Sequence, residues 1–109
     1  GSIIMGDSTQ VTASNGSIVL TADNNVELEL LSASVDVTVT ATNGAITDGN
    51  DDVTNNISAV NTTLNAGTGA GAGNALETTI TALEANVGAG LEVDDAGTLN
   101  IGFGGGING

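Results

Sequence analysis

The fold is decided by the stretch Val35-Asp36-Val37-Thr38-Val39-Thr40-Ala41-Thr42-Asn43-Gly44-Ala45-Ile46. Apolar and polar residues alternate along its first part, which is the pattern of a half-buried β-strand. Asn43-Gly44 then marks a corner, because these residue types adopt the positive φ angles of tight turns. The stretch therefore predicts a strand, a corner and the start of a second strand.

A similar sequence pattern recurs along the chain. Thr12-Ala13-Ser14-Asn15-Gly16-Ser17-Ile18 resembles the end of the first stretch, and Thr21-Ala22-Asp23-Asn24-Asn25-Val26 is a version shortened by one residue. The segment 57–67 also aligns with the segment 80–90, which places Ile57 in the same repeat position as Ile80. Repeats at intervals of roughly 20–50 residues are typical of solenoids, in which each repeat forms one coil.

Two architectures fit short strands separated by corners rich in Asn and Gly. One is an antiparallel β-sandwich with hairpin turns, and the other is a parallel β-helix with pairing between coils. The chain has one aromatic residue, Phe103, whereas a sandwich usually needs larger inner side chains. We therefore predict an all-β solenoid of roughly four or five coils. The predicted inward stripe is Val35, Val37, Val39, Leu64, Leu99 and Ile101, and the predicted corner residues are Asn15, Gly16, Asn43 and Gly44.

The whole chain, residues 1–109, is interpreted as a single solenoid segment. Residues 47–56 are polar and predict a projecting loop, while residues 104–109 form a Gly-rich tail. One alternative concerns the segment with Leu76, Ile80, Leu83 and Val87 at helical spacing. The β-branched run at residues 78–81 and the repeat match favour strands there.

The charge is entirely negative. The chain has 13 Asp and Glu residues, no Lys, Arg or His, and a net charge of -13. Nothing on the side chains can neutralise a phosphate, so nucleic acid and anionic membranes are excluded as partners. Each carboxylate must be solvated, hydrogen-bonded or held by a cation, and Glu27, Glu29 and Asp36 are expected on outward faces. The absence of Cys excludes disulfides and thiolate metal sites.

The polar loop contains the most distinctive group of candidate metal ligands in the sequence. Asp48, Asn50, Asp51 and Asp52 surround Gly49, and closely spaced hard oxygen ligands are what Ca²⁺ binds. The bidentate Glu expected further along such a loop is missing, so a solvated acidic loop is the alternative. We keep Ca²⁺ as the one possible cofactor and these four residues as its candidate ligands.

Four segments carry a resemblance to a known family. They are Asn15-Gly16-Ser17-Ile18-Val19-Leu20-Thr21-Ala22, Thr42-Asn43-Gly44-Ala45-Ile46-Thr47-Asp48-Gly49, Gly73-Asn74-Ala75-Leu76-Glu77-Thr78 and Asp95-Ala96-Gly97-Thr98-Leu99-Asn100-Ile101-Gly102. They resemble the repeats of filamentous-haemagglutinin-like, two-partner-secreted bacterial adhesins. The resemblance implies a right-handed parallel β-helix, secreted to the cell surface, that acts as a shaft for adhesive parts.

These features predict a non-enzymatic structural segment of an adhesin shaft or extracellular filament. Its partners would be further coils, either of the same chain or of a second copy, and a host or cell-surface receptor. A Ca²⁺-binding extracellular module is one alternative. A carbohydrate-active β-helix is another, since paired carboxylates can hydrolyse glycosides. Binding an acidic polysaccharide without any basic side chain is electrostatically unfavourable, so no catalytic residue is assigned.

Overall fold

The protein is a β-solenoid of five coils in a computed structural model that describes residues 1–50, 53–102 and 106–108. The coils stack along three sheets, which contain three, five and six strands, and every strand pairing between coils is parallel. This confirms the predicted solenoid and excludes the antiparallel sandwich. The described residues contain no helix, and so none that is long and apolar enough to cross a membrane.

The strands follow one another through sheets A, B and C and then repeat. Sheet A contains β1 (Ile3–Ile4), β4 (Val26–Leu28) and β7 (Ile46–Asp48), and single bridges at Ala70 and Leu91 extend it. Sheet B contains β2 (Gln10–Ala13), β5 (Leu30–Ala33), β8 (Ile57–Ser58), β10 (Leu76–Thr79) and β12 (Val93–Asp95). Sheet C contains β3 (Ile18–Ala22), β6 (Asp36–Ala41), β9 (Asn61–Ala66), β11 (Ala82–Val87), β13 (Asn100–Ile101) and β14 (Ile107–Asn108).

The core is a stack of aliphatic side chains along the axis. In sheet C, Val39 pairs with Leu20 below and Leu64 above, and Leu64 pairs in turn with Ala85. Val37, Val39 and Leu64 are fully buried, as predicted. Because parallel strands lie about 4.8 Å apart, each inward side chain contacts the equivalent side chains of the neighbouring coils.

The other three residues of the predicted inward stripe are less buried, and one of them, Val35, does not face inward. Val35 is 45% exposed because it precedes β6 at the corner between sheets B and C, where the strand alternation has not yet begun. Ile101 pairs with the buried Leu83 and faces inward, yet it is 56% exposed because its coil is the last described. Leu99, in the same coil, is half-buried against the core.

The repeat alignment of the sequence differs slightly from the observed register. The alignment places Ile57 with Ile80, whereas in the structure Ile57 pairs with Thr78 and Leu64 pairs with Ala85. The predicted repeat is therefore too long by two positions. A shift of two positions leaves every side chain on the same face of its strand, which is why the sequence match survives the error. The helical alternative is also wrong, since this segment forms β10 and β11.

The two Asn-Gly corners are not equivalent positions of the solenoid. Asn15-Gly16 lies between sheets B and C, whereas Asn43-Gly44 lies between sheets C and A. Neither glycine has the positive φ that the turn pattern predicts. Gly44 is required for close packing instead, because a Cβ there would overlap the side-chain Oδ1 of Asn25 and the backbone of Asn24. That Oδ1 accepts a hydrogen bond from the N–H of Ala45 at 2.9 Å.

The predicted loop and tail both contain paired strand segments. The loop at 47–56 begins within β7 and ends at Asn56, which is fully buried. In the tail, Ile107 pairs with Ala85, and the N–H of Ala85 donates to the carbonyl of Gly106 at 2.9 Å.

Candidate functional site: an acidic corner and an open coil

Asn56 organises the corner between sheets A and B. Its Nδ2 donates to the carbonyl of Glu29 at 3.0 Å and to Oδ1 of Asp48 at 2.9 Å. Its Oδ1 accepts from the N–H of Glu77 at 3.0 Å, and its own N–H donates to the Glu77 carbonyl at 2.7 Å. A buried polar group needs hydrogen-bond partners. The Asn56 amide has its partners on its own coil and on the coils on either side, and it therefore connects three successive coils.

Carboxylates are stacked along the same corner. Asp48 ends β7, Glu77 lies in β10 of the next coil, and Asp94 is the register partner of Glu77 in the coil after that. Burial, a hydrogen bond to Asp48 and the negative charges of Asp48 and Asp94 raise the pKa of Glu77 to about 7. Oε1 of Glu77 is enclosed and accepts no hydrogen bond within the described part of the chain. Near neutral pH the Glu77 carboxyl therefore retains a proton that an isolated Glu would have lost.

The raised pKa of Glu77 predicts a pH-dependent stability. Between about pH 4.5 and pH 7 the folded protein binds more protons at Glu77 than the unfolded chain does, so the free energy of unfolding falls as the pH rises. Because Glu77 is partly solvated, we expect a loss on the order of 1 kcal/mol between pH 5 and pH 8. Urea denaturation at these two pH values measures this loss of unfolding free energy.

The matched control for this prediction is a Glu in sheet C. Glu77→Gln should remove most of the pH dependence, whereas Glu84→Gln should retain it, because Glu84 has Thr63 as its register partner rather than a carboxylate. An equal pH slope in both variants would contradict the assignment to Glu77.

The structure describes two of the four predicted Ca²⁺ ligands, Asp48 and Asn50. Oδ1 of Asp48 accepts hydrogen bonds from the N–H of Asn50 and from Asn56 at 2.9 Å each. Asp51 and Asp52 lie outside the described residues. No group of three or more His, Cys, Asp or Glu side chains that could hold a metal is present among residues 1–50, 53–102 and 106–108. Calcium binding by this loop therefore stays a prediction.

Glu29 is buried, which corrects the expectation that it faces outward. It lies between β4 and β5, where the chain turns from sheet A to sheet B, and it is 7% exposed. The alternation that places Glu27 outward does not continue through this corner. Glu27 and Asp36, also expected on outward faces, are half-buried.

The last described coil presents an open apolar surface, which we call the terminal rung: Leu91, Val93, Leu99, Ile101 and Ile107. One coil below, the register partners Ala70, Leu76, Leu83 and Ala85 are all buried. In the terminal rung Ile101 is 56% and Ile107 is 41% exposed, and the other three are half-buried. The side chains thus keep the inward orientation of the core, with no further coil above them among the described residues.

The first coil is covered more completely. Ile18 and Met5 are buried there, although Val11, whose register partner Leu31 is fully buried, is 41% exposed. The strands of this coil have neighbours on one side only within the described structure. Both ends therefore present unpaired backbone edges that can pair with a further strand.

Sequence reasoning missed the roles of Asn56, Glu77 and Glu29 at the corner between sheets A and B, which together with Asp48 and Asp94 we call the acidic corner. Asn56 and Glu77 are separated by a full coil, and Glu29 is enclosed by residues from the coils on both sides of its own. Their roles depend on the stacking register, which local periodicity does not define. A polar residue directly before an apolar strand start, as in Asn56-Ile57, was the available signal.

The sequence matches no family model, and no curated protein or solved structure shows significant similarity to it.

Proposed function

We propose that this protein is a non-enzymatic structural segment that extends a shaft or filament by stacking further coils on its ends. The observation that carries the proposal is the terminal rung, where core-type side chains remain exposed. Burying an Ile or Leu side chain contributes about 1.5–3 kcal/mol. A parallel coil placed on this rung would also pair the backbone edge of sheet C, as each coil does for the one below it.

A head-to-tail contact between the last coil of one copy and the first coil of the next does not close. Repetition of such a heterologous contact generates an open fibre rather than a ring. A shaft of this kind suits a secreted adhesin or an extracellular filament at the cell surface, as the adhesin-like repeats suggest. The uniformly negative surface supports it, since it keeps separate shafts apart and disfavours binding to nucleic acid.

The test is sedimentation velocity over a concentration series, followed by negative-stain electron microscopy. We expect association to increase with protein concentration, and to strengthen as salt is raised, because salt screens repulsion between copies with a net charge of -13. Ile101→Lys should keep the protein monomeric, because it places a charge in the terminal rung. A wild-type protein that stays monomeric at every concentration would contradict the proposal.

Val60→Lys provides the matched control. Val60 is 45% exposed, comparable with Ile101, but it lies at a mid-stack corner between β8 and β9. The change in charge is the same, so Val60→Lys should associate like the wild type. Loss of association in both variants would contradict the assignment to the terminal rung, because one added positive charge reduces the repulsion between copies and should not by itself prevent association.

A further inference from the structure

A polar cavity of about 300 Å³ opens beside the corner between sheets A and B. Its lining comes from three coils: Ser8 and Gln10 from the first, Glu29 from the second, and Asn50, Thr54 and Asn55 from the third. These side chains offer one carboxylate, several amide oxygens and hydroxyl oxygens. The described lining contains no aromatic ring.

Glu29 is the charged group of this cavity. Its Oε1 accepts a hydrogen bond from the N–H of Ser8 at 3.0 Å. Its Oε2 is buried and accepts no hydrogen bond from the described residues. Gly49 leaves room for this oxygen, since a Cβ at that position would lie 2.6 Å from Oε2. A buried carboxylate usually requires a partner of opposite charge, and this chain has no basic side chain to supply one.

The backbone near the cavity is held in an uncommon conformation. Ser8 has a φ of 62°, which only a few per cent of non-Gly residues adopt. This conformation accompanies the hydrogen bond that orients the Glu29 carboxylate. The carboxylate is thus positioned by the first coil as well as by its own.

We propose that this cavity binds a hard divalent cation of the Ca²⁺ type, with Glu29 as its charged ligand. Ca²⁺ takes oxygen ligands from carboxylates, amide groups and water, and the lining offers these groups. The lack of His and Cys disfavours transition metals, and the lack of a lining aromatic ring disfavours an organic cation. The described lining of this site includes Asn50 of the predicted 48–52 ligand set but not Asp48.

A bound cation would also stabilise the stacked coils. A cation at Glu29 would connect side chains of three coils around the corner and would neutralise a charge that the fold buries. Binding to the folded state alone stabilises it, so the melting temperature should rise with Ca²⁺. The site does not depend on coil stacking between copies, and monomeric protein is sufficient to test it.

The experiment is calorimetric titration of CaCl₂ into the full chain at about 0.15 M NaCl, where diffuse attraction to the acidic surface is largely screened. We expect one saturable site with a Kd of about 10⁻⁴–10⁻³ M, because a single carboxylate gives weak binding. Glu29→Gln should weaken binding at least tenfold, and Glu84→Gln, with the same change in charge outside the cavity, should bind like the wild type.

A second measurement keeps the test independent of whether Glu29→Gln folds. In the wild-type protein, ¹H–¹⁵N spectra recorded during the Ca²⁺ titration should show saturable shifts at the amides of Ser8, Gly49 and Asn50. The amides of sheet C should stay unchanged. Absence of saturable heat, shifts centred on Glu77, or equal weakening by both Gln variants would overturn the proposal.

Discussion

Val37→Asp is expected to abolish folding. Val37 is fully buried between its register partners Ile18 and Thr62. An ionised carboxylate there would be removed from water, and no basic side chain exists to neutralise it. The Thr62 hydroxyl has no hydrogen-bond partner among the described residues and could donate one bond to the carboxylate, which would offset about 1.5–3 kcal/mol. The remaining cost is comparable with the whole stability of a small domain, about 5–15 kcal/mol.

Thr38→Asp is the control for this prediction. Thr38 is the next residue along β6 and points to the outer face, where its register partners are Val19 and Thr63. The new carboxylate would be solvated and would face no like charge across the strands, so the cost should stay below about 1 kcal/mol. Far-UV circular dichroism and urea denaturation compare the variants. Similar destabilisation by both changes would contradict the inward position of Val37.

The architecture was predictable because it depends on local features that the sequence displays directly. The alternation from Val37 to Ala41 assigns an inward and an outward face without knowledge of any other strand. Recurrent corners and small aliphatic side chains then favour a narrow coil over a sandwich. These inferences need only the period of a strand and the size of its side chains, and the structure confirms them.

Register and corners were predicted less well, for a physical reason. When the pairing of two strands shifts by two positions, the side chains that face the core still face the core. The sequence therefore could not distinguish pairing of Ile57 with Ile80 from the observed pairing with Thr78. Corners interrupt the alternation, and for that reason Val35 is exposed and Glu29 is buried, contrary to expectation. The close packing of Gly44 likewise depends on the neighbouring coil.

The acidic corner shows how the solenoid tolerates carboxylates without basic partners. The carboxylates of this corner are accommodated in different ways: Oδ1 of Asp48 accepts two N–H donors, and Glu77 retains a proton up to about pH 7. Glu29 has one N–H donor for its two oxygens within the described structure. The donors to Asp48 come from its own coil, within the segment 48–56. Glu29 and Glu77 depend on groups from adjacent coils, so their arrangements exist only once the coils are stacked.

Asn56→Asp is expected to destabilise the protein by about 3–5 kcal/mol, because it leaves a buried charge without compensation. The Asn56 Nδ2 donates toward the carbonyl of Glu29 and the carboxylate of Asp48. The substituted oxygen would face these acceptors with no hydrogen to donate, and it would add a negative charge beside Asp48. Urea denaturation monitored by circular dichroism measures the loss, which we expect to be large enough to leave much of the protein unfolded at 37 °C.

Two comparisons identify the cause of that loss. Asn65→Asp makes the same chemical change on the outer face of sheet C, where Asn65 donates to Oγ1 of Thr40 at 3.3 Å, and it should cost about 1 kcal/mol or less. Lowering the pH should restore part of the stability of Asn56→Asp, because the new carboxyl becomes protonated and regains one donor. Destabilisation that is independent of pH, or equal in the two variants, would show that Asn56 acts through packing rather than as the hydrogen-bonding centre of the acidic corner.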